Sequence, residues 1–86
     1  MYVIAVYDME AERTQLMLSL LRRYLTHVQN SVCEGELTDA QYAVLTEEIE
    51  ETVKPNESVI LYQLRDDNWL NRKIYGSDPM DDHRLI

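Results

Sequence analysis

Apolar residues occupy both faces of the first predicted strand. Along Tyr2–Tyr7 the alternating sets are Tyr2, Ile4, Val6 and Val3, Ala5, Tyr7, and neither set is polar. A strand of this kind has to be covered on both sides. From about Ala11 to Leu25 the period becomes helical. Met17, Leu20, Leu21 and Tyr24 share one face, which Leu16, Leu18 and Leu25 widen. Glu10 and Glu12 at its start and Arg22-Arg23 at its end suit the helix dipole. His27–Leu37 reads as a hairpin, Val28-Gln29 and Val32–Leu37 around Asn30-Ser31. Cys33, Gly35 and Leu37 face one side of it, Glu34 and Glu36 the other. Thr38-Asp39-Ala40-Gln41 is a capping-box sequence. The helix it opens buries Tyr42, Leu45, Ile49 and Val53, leaves Glu47, Glu48, Glu50 and Glu51 mostly wet, and stops at Lys54-Pro55-Asn56. Ser58–Leu64 is a second strand apolar on both faces, and Arg72–Tyr75 predicts a short fifth strand after the Arg65–Asn71 loop.

The order is βαββαβ with an extra C-terminal strand, a ferredoxin-like α+β arrangement over residues 1–75, followed by a tail, 76–86, that is polar until Leu85-Ile86. Two helices cover only one face of a four-stranded sheet. The other face is apolar too, and a two-fold copy of the same sheet is the commonest cover. The pattern therefore predicts a sheet-to-sheet homodimer.

Composition adds bounds. Eighty-six residues suit one domain, and 45% hydrophobic content is ample for a core. The single cysteine, Cys33, excludes an internal disulfide, and no Cys/His cluster suggests zinc. No basic stretch precedes the first strand, so no signal peptide is expected. Nor does any apolar run approach the roughly 18 residues of a membrane span. These features predict a cytoplasmic protein without a membrane partner. Sixteen acidic residues against eight basic ones give a net charge of −8, which a dimer doubles. Such a field repels nucleic acid unless the basic residues are segregated or cations screen it. Only two of the basic residues are lysines, a bias that fits a high-salt cytoplasm. Solubility below about 50 mM salt with unchanged dichroism would argue against that origin.

Asp8, at the end of the first strand, is the leading candidate for chemistry. A strand-end carboxylate near a two-fold axis meets its symmetry mate, and Mg²⁺ or Mn²⁺ accepts such oxygen ligands. The competing readings are a cap for the following helix and a solvated turn residue. Arg13, Arg22 and Arg23 hold most of the basic charge of the first half, and guanidinium forks suit phosphate oxygens. Against that stand dipole complementation for Arg22-Arg23 and an ion pair with Glu10 or Glu12 for Arg13. Lys54, Arg65, Arg72, Lys73 and Arg84 could extend a basic rim. His27 reads as a surface or half-buried histidine, Ser31 as a turn former and Cys33 as a small core residue. Trp69 reads as a docking anchor or a loop clamp.

Three segments together carry a family resemblance: Met1-Tyr2-Val3-Ile4-Ala5-Val6-Tyr7-Asp8, Val28-Gln29-Asn30-Ser31-Val32 and Glu34-Gly35-Glu36-Leu37-Thr38. Their order and distances resemble the small second protein of the CRISPR spacer-acquisition machinery, from Met1 to about Leu64. The resemblance implies a ferredoxin-like homodimer that bridges two dimers of the CRISPR integrase and holds duplex prespacer DNA. It also implies, for some members, a Mg²⁺-dependent nuclease of single-stranded RNA or duplex DNA, with Asp8 as catalytic and metal-binding residue, Tyr7 beside it, and a family arginine mapping best onto Arg13. Nuclease-active relatives often carry a second arginine near Gln15, a basic residue near His27 and an aromatic where Cys33 stands. Those departures weigh against nuclease activity here and leave the dimer untouched. Integrase contacts are expected in the C-terminal segment, where Leu85 and Ile86 could dock.

Overall fold

A computed structural model describes residues 1–65 and 73–76. β1 (Tyr2–Asp8) leads through a 3-10 turn (Ala11–Arg13) into α1 (Thr14–Leu21). The hairpin strands β2 (Thr26–Gln29) and β3 (Val32–Glu36) follow, then α2 (Asp39–Thr52) and β4 (Ser58–Leu64). The four strands form one antiparallel sheet in the order β2-β3-β1-β4. This is the predicted α+β arrangement, with both doubly apolar strands, β1 and β4, adjacent.

Register sorts the side chains. Ala5 stands opposite Cys33 on β3 and Leu61 on β4, and Val3 opposite Gly35 and Gln63. This side carries the core, in which Val3, Ala5, Tyr7 and Cys33 meet Met17, Leu20, Leu21, Leu45 and Ile49 of the helices. A Cβ at Gly35 would touch Leu25 and the Tyr24 carbonyl, so the chain leaving α1 lies directly on β3 there. The other side carries Ile4 opposite Glu34 and Tyr62, and Val6 opposite Val32 and Ile60. Neither helix covers that side; Tyr2 and Glu34 on it are buried, but its β4 edge is open among the described residues. Ile60 and Tyr62 keep 49% and 54% of their surface exposed.

The capping box forms as predicted: the Gln41 amide donates to the Thr38 hydroxyl at 3.1 Å and the Thr38 amide to the Gln41 side chain at 2.9 Å. The first helix is shorter than its periodicity suggests. It begins only after Arg13, and beyond Leu21 the chain tightens, with the Arg23 and Tyr24 amides donating to carbonyls three residues back. Leu25 is still buried, whereas Leu16, expected on the core face, is half exposed beside α2. The predicted fifth strand is not formed at Lys73–Tyr75. Those residues pair with no strand among the described residues, and a ladder is what offsets the entropy of extending a chain. Arg72, Trp69 and the tail with Leu85 and Ile86 lie outside the described residues.

Candidate functional site

Asp8 is the last residue of β1 and pairs with Ser58, the first of β4. Its even position puts it in the row of Tyr2, Ile4 and Val6, so the carboxylate stands at the rim of the uncovered apolar face. It is exposed. The cap reading fails: Glu10 occupies the N-cap position of the 3-10 turn and Arg13 that of α1, and neither element has a side-chain cap. Among the described residues the Asp8 carboxylate has no hydrogen-bond or ion-pair partner. The hairpin turn is tied to the same strand end, because the Tyr7 amide donates to the Ser31 carbonyl at 3.0 Å. Ser31 itself sits in the left-handed region, φ 65°. Tyr7 is buried in the core, and its hydroxyl is pushed up by burial and by neighbouring Cys33.

Among the described residues Asp8 is the carboxylate at the end of β1. Among the described residues no three of His, Cys, Asp and Glu cluster closely enough to hold a metal. A divalent ion at Asp8 therefore needs oxygen ligands beyond those the described residues of one copy supply.

The helix-side flank of Asp8 is organised by Glu57, a buried carboxylate that the sequence reading passed over. Its Oε2 accepts from the Arg13 Nε at 2.8 Å and from the Glu10 amide at 3.2 Å, while Oε1 accepts from the Lys54 amide at 3.0 Å. The Arg13 guanidinium also donates through Nη2 to the Thr52 carbonyl at 2.5 Å, and Asn56 donates to the Glu10 carboxylate at 2.6 Å. The Glu57 side chain has no solvent exposure, and its carboxyl is held down to about 2, first by Arg13 and then by the two amides. Arg13 is raised in turn by the same hydrogen bond. Arg13 thus has an ion-pair partner as the sequence suggested, but the partner is Glu57 and not Glu10 or Glu12. A lone Glu before a strand carries no periodicity, so only the fold reveals it.

Arg22 and Arg23 are exposed at the far end of α1. Arg23 reaches Glu48 of α2 at 3.1 Å across a groove of about 430 Å³ that Leu16, Ser19 and Glu51 also line. Arg13 and Arg23 are thus each paired with a glutamate, and neither pairs with Asp8. Cys33 is a core residue as expected, with burial raising its thiol to about 11. His27, opposite Cys33 in the register, is half-buried with its Nε2 shielded and unpartnered among the described residues. No helix is long and apolar enough to cross a membrane among the described residues.

On this geometry the chain can be set beside known proteins. The model of the family described as "CRISPR associated protein Cas2" matches residues 1–72. The CRISPR-associated endoribonuclease Cas2 of Dictyoglomus turgidum is 44% identical over 77 residues, 88% of each chain. Its namesake in Methanosarcina acetivorans is 37% identical over the whole of both. A crystal structure of Cas2 superposes with TM-score 0.84 at 38% identity, covering 100% of this chain and 98% of the other. Cas2 of Streptococcus pyogenes at pH 6.5 gives TM-score 0.72 at 23% identity, over 87% of this chain and all of the other, a likeness of fold alone. With the family model matching residues 1–72, from β1 through β4, the chain belongs to the CRISPR-associated Cas2 family.

Proposed function

We propose that two copies of this chain meet through the uncovered faces of their sheets, and that the dimer serves CRISPR spacer acquisition. In this reading it bridges two dimers of the integrase and holds duplex prespacer DNA for insertion. The observation that carries the dimer is the apolar row of Ile4, Val6, Val32, Ile60 and Tyr62 on a sheet whose opposite face is already packed. An isologous contact places the same patch on both copies and brings both Asp8 rims into one assembly. Arg22, exposed at the end of α1, and Arg23 beside it would position the duplex through phosphate contacts, which need no base reading. Leu85 and Ile86 would dock on the integrase.

A second reading is favoured by Asp8 itself, a rim carboxylate that caps nothing and pairs with nothing among the described residues, and by relatives that bear the name endoribonuclease. In it the dimer is a Mg²⁺- or Mn²⁺-dependent endonuclease of single-stranded RNA or duplex DNA. Asp8 from both copies would hold the ion, which when bound activates water and offsets phosphate charge.

Reconstituted spacer integration with the cognate integrase separates the two readings. The arms are wild type, Asp8→Ala and no added chain, with RNA and DNA cleavage followed in parallel with and without Mg²⁺. Integration that needs the chain and tolerates Asp8→Ala establishes the adaptor. Cleavage that needs Mg²⁺ and disappears in Asp8→Ala establishes the enzyme. Integration indifferent to the chain would refute the adaptor role.

A further inference from the structure

Arg13 is the arginine nearest Asp8 in sequence, the place where a phosphate ligand would be sought. Two of its five N–H donors are already engaged. Nε is held by the Glu57 carboxylate, Nη2 by the Thr52 carbonyl, and the side chain is mostly shielded from water. A planar fork held by protein through Nε and Nη2 has to surrender those bonds before these two donors can grip phosphate side-on. It would also strand the Glu57 carboxylate, which has no contact with solvent, without its counter-charge.

The same Glu57 receives the amide of Glu10, two residues after Asp8. It immediately precedes Ser58, the residue paired with Asp8 in the ladder. One carboxylate thus binds the chain on both sides of the Asp8–Ser58 pair: the β1–α1 connection through Glu10 and Arg13, and the α2–β4 connection through Lys54. Asn56 adds a second stitch to Glu10.

We propose that Arg13 and Glu57 form a clasp that fixes the strand end carrying Asp8, and that Arg13 is a positioning residue instead of a phosphate ligand. The positioning half rests on the reading of Asp8 as the site residue; the clasp stands on its hydrogen bonds alone.

The test pairs amide hydrogen exchange with the salt dependence of nucleic-acid binding, on the full chain, for wild type, Arg13→Lys, Arg13→Gln and Glu57→Gln. Lys keeps the charge and loses the fork. A clasp therefore predicts that Arg13→Lys behaves like Arg13→Gln, with exchange at the Glu10 amide accelerated by about tenfold or more and amide shifts moving at Asp8 and Met9. Arg13→Lys with Glu57→Gln should together do little more than either alone. Affinity for a short RNA or duplex, read by anisotropy across salt concentrations, should keep its slope in Arg13→Gln. A direct phosphate contact predicts the reverse: Arg13→Lys close to wild type, exchange unchanged, and a slope smaller by about one in Arg13→Gln. That result would overturn the proposal. The exchange and shift measurements need no nucleic acid. Should the wild type neither bind nor cleave, the functional reading of Asp8 falls while the clasp is still decided by them.

Discussion

On the helix side of the sheet Val3, Ala5 and Cys33 retain no accessible surface, whereas on the other side Ile60 and Tyr62 keep about half of theirs. Both sets are apolar and both come from the central strands or their neighbours. The difference lies in what the chain brings to each: two amphipathic helices to one face, and among the described residues nothing to the other. An apolar row dictates that a face be covered; it does not name the cover. The face that the described residues leave open also holds the rim carboxylate, so that open surface and the candidate site are one surface.

The comparison can be broken most severely from the open side. Replacing Ile60 and Tyr62 with Asp should abolish self-association in analytical ultracentrifugation at micromolar concentration, because charges buried across a two-fold axis face their own copies. The helical dichroism should survive, since neither side chain belongs to the packed core. A dimer that persists in this variant would show that the copies meet elsewhere.

From the helix side, Leu45→Ala removes a fully buried side chain and should cost about 2–5 kcal/mol in urea unfolding, with a lower midpoint and an unchanged slope. Matching losses for Leu45→Ala and Tyr62→Ala in the isolated monomer would erase the distinction between the faces.

Acid sharpens the picture at the rim. Glu57 titrates at about 2 when folded against an ordinary value of 4.5, so the folded state favours its ionised form. Its contribution to stability is complete above about 4.5 and is lost as pH falls towards about 2. Glu57→Gln should therefore lose less stability than wild type across that interval, measured by urea midpoints at each pH. The smallest effect belongs to the Arg23–Glu48 bridge, whose arginine side is half exposed: Arg23→Gln should change stability by about 1 kcal/mol or less.

Much of the fold was legible because its signals are local or periodic. Thr38 and Gln41 announce their own cap, continuous apolar runs within Tyr2–Tyr7 and Ser58–Leu64 mark the two strands, and the β-hairpin turns where Asn30-Ser31 stands. The end of α1 was not legible, because Tyr24 and Leu25 keep the apolar rhythm while the backbone leaves the helix to lie on β3 at Gly35. At the candidate site Asp8 was visible from its place at the end of an apolar strand. Glu57 was not, since its meaning comes from Arg13 and Glu10, more than 40 residues away in the chain. The acidic character of the chain was plain from composition. That one of its carboxylates is sealed from water could be known only from the packing.

The alternation of β1 has a consequence for how this strand can change over time. Asp8 reaches the rim by counting: each residue inverts the side on which the next one falls. Exchanging one aliphatic residue for another at Ile4 or Val6 leaves that count intact. Deleting or inserting a single residue between Ala5 and Asp8 would turn the carboxylate towards the helices and a tyrosine towards solvent. The segment should accept substitutions far more readily than changes of length, and variation in length should be confined to stretches outside the strand.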